Sequence, residues 1–181
     1  MTLIGNLNDS ASDFQRLVWP ALGRYLGGGR IVHVETITET AFARDLDFLT
    51  GIDAYQVTGN QRGIRGIASR VQWGPTAWRT FTVRRSTGNG GKTEYAKRKD
   101  AIESGRGLLY PHLTIQAYVS GRPNGRLLAA AAVRTDELIA MCAESRVRTT
   151  PADGSTFYWV PWSEFSTIVT ADSMPERHVA A

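Results

Sequence analysis

Apolar positions recur at helical spacing from about Ser12 to Leu26, where Phe14, Leu17, Val18, Ala21, Leu22 and Tyr25 form one stripe. Ser10 or Ser12 supplies a cap, Gly27-Gly28-Gly29 a stop, and Pro20 removes one backbone donor and predicts a kink. Arg30 to Val34 reads as a short strand, and Thr38 caps a second helix whose buried side is Phe42, Leu46 and Leu49. Three strands follow at about Ile52–Val57, Ile64–Trp73 and Thr80–Arg85, with a hairpin turn at Gly59-Asn60-Gln61-Arg62-Gly63. Ser86 to Lys92 is glycine-rich, and Thr93 caps a basic helix reaching about Glu103.

Strict alternation returns in Leu113–Val119, with Leu113, Ile115, Ala117 and Val119 on one side and Thr114, Gln116 and Tyr118 on the other. A turn at 121–125 leads into Arg126–Arg134, a nearly continuous apolar strand suited to a sheet interior. Thr135 caps a helix to about Ala143, Phe157–Val160 is a last strand that Pro161 stops, and Ser163 starts a short helix. The expected architecture is one α/β domain over residues 1–173, a single mixed sheet flanked by helices, with a loose tail at 174–181.

Composition changes this picture little: 181 residues, 42% hydrophobic and 21% charged, suit one ordinary globular domain. Cys142 is the only cysteine, which excludes an intrachain disulfide and a multi-cysteine zinc site. His33, His112 and His178 lie far apart without ligand spacing, and Gly-x-Ser-x-Gly is absent, so neither a zinc enzyme nor a serine hydrolase is expected. No signal peptide or bilayer-length apolar run is present, and the expected location is the cytoplasm.

Charge changes the picture more. Residues 1–59 hold 4 Lys/Arg against 7 acids, residues 60–106 hold 11 against 3, and residues 107–181 hold 6 against 7. The positive excess is therefore concentrated after Asp53, which favours an anionic partner, nucleic acid above all. Arg84, Arg85, Lys92, Lys97, Arg98 and Lys99 are the candidate phosphate contacts, although Lys97 to Lys99 equally suit a solvated helix face. Trp73 and Trp78 flank a turn and suit either base stacking or core packing, while Trp159 and Trp162 read as core and helix-staple residues.

Gly51-Ile52-Asp53 opening a strand, Ser69-Arg70 on the next, Thr82-Val83-Arg84-Arg85-Ser86 on a third and Thr93-Glu94 opening a helix together resemble the PD-(D/E)XK nuclease superfamily, in a branch of phage and mobile-element proteins. The resemblance spans about Glu35 to Val133 and implies a restriction-endonuclease-like fold acting on nucleic acid with Mg²⁺. It assigns Asp53 to the metal and places Arg70 where the family has its catalytic lysine. Ala68 then stands at the position of the second metal-binding carboxylate. Glu39, Asp45 or Asp47 on the preceding helix, or Gln72 on the strand of Arg70, are the substitutes within reach. Arginine keeps its proton and cannot act as a general base, but it grips phosphate through paired hydrogen bonds.

Two functions stay open on this reading. One is a divergent metal-dependent phosphodiesterase or its catalytically reduced DNA-binding relative. The other is a phage or mobile-element protein that keeps the fold and binds a host or phage protein, for example as a host-defence inhibitor. Arg70 also suits a purely structural ion pair with Asp53.

Overall fold

The computed structural model describes residues 9–36, 50–58, 63–87, 90–105, 109–122, 124–149 and 154–172. The helix expected after Thr38, with Glu39, Asp45 and Asp47, lies outside the described residues, as do the hairpin tip and the C-terminal tail.

The first helical segment, α1, covers residues 9–26. Its winding changes at Pro20: a π-turn over Phe14–Val18, closed by the Trp19 N–H on the Phe14 carbonyl, gives way to an α-turn and then a 3₁₀ turn at Gly23–Leu26. The missing proline donor explains why regular i→i−4 bonding does not run through this point. Gly27 ends the segment at φ 89°, a left-handed geometry that favours glycine. Buried Gln56 then donates to the carbonyls of Leu26 and Gly28, both at 2.8 Å, and fastens this end to the sheet.

Nine strands are described: β1 (Arg30–His33), β2 (Ala54–Val57), β3 (Ile64–Trp73), β4 (Thr80–Ser86), β5 (Leu113–Val119), β6 (Leu127–Arg134), β7 (Arg146–Thr149), β8 (Thr156–Pro161) and β9 (Val169–Asp172). Two further helices are α2 (Glu94–Glu103) and α3 (Thr135–Cys142). The main sheet has six strands in the order β1-β2-β3-β5-β6-β9, all neighbours antiparallel except the parallel pair β3–β5. A parallel neighbour requires a crossover, and here β4 and α2 lie within it.

The expected single sheet is corrected to two. β3 has β2 on one side and β5 on the other, so no edge remains for β4, which joins β8 and β7 in a three-stranded sheet of order β4-β8-β7. The turn starts at Gly74-Pro75 and Arg79 completes it at φ 51°. β4 then meets side chains of β5. The Thr80 N–H donates to the Tyr118 hydroxyl at 3.2 Å and the Thr82 N–H to Gln116 Oε1 at 3.4 Å. Donors that a bare strand edge would leave open are thereby satisfied.

Alternation on β5 builds two cores. Ile115, Ala117 and Val119, with Ile67 and Val71, pack against Phe14, Val18 and Leu22 of α1. On the reverse side Tyr118, Ala129, Ala131 and Val133 meet Phe81, Val83 and Val160 of the smaller sheet and Leu138, Ile139 and Cys142 of α3. The alanines of β6 are buried on both faces, and fully burying each larger aliphatic or aromatic partner contributes about 1.5–3 kcal/mol. Among the described residues no helix is long and apolar enough to cross a membrane.

Candidate functional site

Where the β4 strand, the main sheet and the first turn of α2 meet, they leave a cleft of roughly 410 Å³. Its floor is Asp53, Ala68 and Arg70 with Thr114 and Gln116 of β5, and its wall is Thr82 and Arg84 of β4. Lys92, Thr93, Glu94, Lys97 and Arg98 close it from the side of α2.

Gly51 precedes the site at φ 67° and turns the chain into Ile52-Asp53. Asp53 is then pinned through its backbone: its N–H donates to Ile67 at 2.9 Å and its carbonyl accepts from Val34 at 3.0 Å. Its Oδ2 accepts the Ser69 N–H at 2.5 Å. Ala54 pairs with Ile67, so Asp53 stands opposite Ala68, and Arg70 follows two residues on, pointing to the same face.

Arg70 does not make its close ion pair with Asp53. Its Nη2 lies 2.7 Å from Glu94 Oε1, and both side chains are largely withdrawn from solvent. Glu94 is positioned by helix geometry: the Thr93 side chain caps α2 by accepting the Ala96 N–H at 3.3 Å and donates to the Arg85 carbonyl at 3.1 Å. Burial opposes ionisation of Glu94, but the guanidinium groups of Arg70, Arg98 and Arg84 and a backbone N–H from Arg84 outweigh it, so its pKa is lowered.

The cleft lining therefore holds five cationic side chains, Arg70, Arg84, Lys92, Lys97 and Arg98, against the carboxylates of Asp53 and Glu94. Arg98 is buried, and Lys92 pairs with Asp100 at 2.7 Å. Among the described residues, seven buried side-chain polar atoms have no hydrogen-bond partner, and four of these belong to the cleft lining: Arg84 Nε, Thr87 Oγ1, Arg98 Nε and Gln116 Nε2.

The remaining candidates from the sequence are placed elsewhere. Arg85 is exposed on the opposite face of β4, its guanidinium 5.7 Å from the Tyr158 ring. Lys99 is half-exposed and paired with Glu103. Gln72 stands four residues beyond Ala68, about 13 Å along the strand, and lines a separate hollow with Trp73 and Trp78. It is not brought to Asp53. Glu39 and Asp45 lie outside the described residues. Among the described residues no group of three or more His, Cys, Asp or Glu side chains could hold a metal ion.

Two participants were not assigned to the site from the sequence. Glu94 entered only through the Thr93-Glu94 piece of the resemblance, and Gln116 only as the polar side of an alternating strand. Their convergence depends on β4 leaving the main sheet, which local pattern does not encode. Comparison with known protein families, with curated proteins and with solved structures finds no match to this chain.

Proposed function

We propose that this cleft grips the phosphate backbone of a nucleic acid, in a catalytically reduced protein of PD-(D/E)XK-like type. The observation that carries the reading is the set of five cationic side chains lining the cleft against two carboxylates, one of them already paired with Arg70. Four residues of that lining also carry a buried donor without a partner, so the surroundings are short of acceptors. A ligand rich in acceptor oxygens and negative charge answers the cationic excess. Phosphate fits that description, and arginine suits it through paired N–H bonds.

Magnesium, which the nuclease resemblance implies, fits the described residues poorly. Glu94 is already compensated by three guanidinium groups, and Asp53 has one carboxylate oxygen committed to the Ser69 N–H. A dication placed between these acids would meet Arg70, Arg84 and Arg98 at close range. Ala68, buried opposite Asp53, offers no ligand. The arrangement supports binding and charge compensation more than water activation.

The test is binding of labelled DNA and RNA, duplex and single-stranded, over a salt series. Wild type should lose affinity steeply with salt, and Lys92→Ala with Lys97→Ala should weaken binding and flatten the slope by about one unit per lost phosphate contact. Little or no cleavage is expected with Mg²⁺, in wild type or in Asp53→Ala. If no nucleic acid binds even at low salt, protein recognition becomes the better account. Robust Mg²⁺-dependent nicking lost in Asp53→Ala would instead make the chain a nuclease with its second ligand elsewhere.

A further inference from the structure

The smaller sheet has two unlike faces. One carries Phe81, Val83 and Val160 into the core. The other is set by register: Arg84 pairs with Phe157 and Phe157 with Arg148, while Thr82 pairs with Trp159 and Trp159 with Arg146. Residues opposite one another on neighbouring strands share a face, so two aromatic rings are each flanked by arginine on this side. Phe157 and Trp159 are half-buried, and every residue of β7 is exposed.

This face continues the cleft. The Phe157 ring lies 5.3 Å from the Arg70 guanidinium and 5.4 Å from that of Arg84. Further along, Arg148 lies over the Trp159 ring at 3.3 Å, and Trp78, 61% exposed, stands with its ring 6.3 Å from that of Trp159. The hollow beyond Trp159 is rimmed by Glu144 and Glu164 beside Arg146, so the basic track ends there.

We propose that this face is a stacking platform for single-stranded nucleic acid, holding unpaired bases on Phe157, Trp159 and Trp78 while the adjoining cleft holds phosphate. The inference rests on the phosphate-binding reading of the cleft and adds the class of substrate. Aromatic rings take any base by its π-face, and arginine supplies both a cation for phosphate and a planar layer for stacking. Two positions along a strand are about 7 Å apart, twice the 3.4 Å per nucleotide of a stacked duplex strand. The rings therefore match bases of a stretched strand. A duplex keeps its base faces covered and offers this surface only its backbone.

Three labelled probes of equal length separate the possibilities: an oligodeoxythymidine, an abasic oligonucleotide and a mixed-sequence duplex. Wild type should bind the oligodeoxythymidine at least tenfold more tightly than either of the others at one salt concentration, with quenching of tryptophan fluorescence. Trp78→Ala, at an exposed position, should weaken that binding about tenfold and leave duplex affinity within twofold, in keeping with the worth of one base–aromatic stack. Arg148→Ala should reduce the single-strand preference as well. Thermal unfolding of each variant verifies the fold, and Trp159→Leu is informative only if its midpoint is retained. Equal affinity for all three probes, unchanged in Trp78→Ala, would overturn the platform and leave the cleft reading standing. Binding of none of them would remove both.

Discussion

Arg70 Nη2 and Glu94 Oε1 lie 2.7 Å apart, tying the middle of the main sheet to the first turn of α2 across the cleft. The contact has two roles that oppose each other. It holds the crossover helix on the sheet, and it occupies a guanidinium that phosphate would otherwise engage. Glu94→Gln should therefore lower stability by about 1.5–3 kcal/mol, the usual range for a hydrogen bond to a charged group, while raising affinity for a polyanion severalfold. Denaturant unfolding and salt-series binding on the same preparation check both signs. Weaker binding by Glu94→Gln would mean that the carboxylate, and not the arginines it compensates, faces the ligand.

Acid should weaken the protein in two stages. Burial lowers the His33 pKa below 6.5, so the unfolded chain takes up this proton first; the stability concerned is intact above pH 6.5 and falls as pH drops towards the lowered pKa. Glu94, also lowered, contributes stability that is complete above pH 4.5 and is lost as pH falls through its folded pKa. Replacing His33, which packs edge-on against Phe14, by Gln should flatten the first stage alone. A pH series of unfolding midpoints in which His33→Gln still declines from pH 6.5 would assign that stage to another group.

The joint between the sheets can be weakened by one atom. The Tyr118 hydroxyl accepts the Thr80 N–H at 3.2 Å and donates to the Thr80 carbonyl at 2.8 Å, in a buried position. Tyr118→Phe keeps the ring and leaves both groups unanswered, which should cost about 1–3 kcal/mol in a denaturant titration. A loss below about 0.5 kcal/mol would show that β4 is held in place by apolar packing instead.

Cys142 should be chemically silent in the native state. It is buried in the last turn of α3, and burial pushes its thiol up to about 12. A disulfide reagent at pH 8 should modify it only after denaturation, with one equivalent then taken up. Fast modification of the folded protein would mean that α3 opens locally.

Much of this fold was legible from alternation. Leu113–Val119 carries a clear two-residue pattern and Ile64–Trp73 follows a hairpin turn, and both strands have those bounds in the structure. What could not be read was the sheet to which a strand belongs. Thr80–Ser86 has the same kind of pattern, yet its neighbour is β8, because β3 has no free edge. β7, with the sequence Arg-Val-Arg-Thr and every side chain exposed, has no apolar face to announce it. Trp159 illustrates the same limit on the site. Its place in the run Phe157–Val160 reads as core, but alternation puts it on the face away from the core-facing Val160. Asp53 and Arg70 could be placed on one face because a short hairpin links their strands; Glu94 could not, because its approach depends on a long crossover.

That crossover separates the molecule into parts with different connectivity. The β1–β2–β3 meander includes pairs as near in sequence as Val57 and Ile64, whereas β3 meets β5 through pairs such as Ile67 and Leu113, which close a far longer loop. Loop closure of that length is costly and tends to come late, so the meander can persist while β5 is detached. The cleft and the platform cannot, since Gln116 and the seat of β4 go with β5. Native-state amide exchange should show β5 and β4 opening together at a lower free energy than β2 and β3. A bound polyanion would then act as a clasp, protecting most strongly the amides of the crossover. Occupancy and late folding events would be coupled through the same contacts.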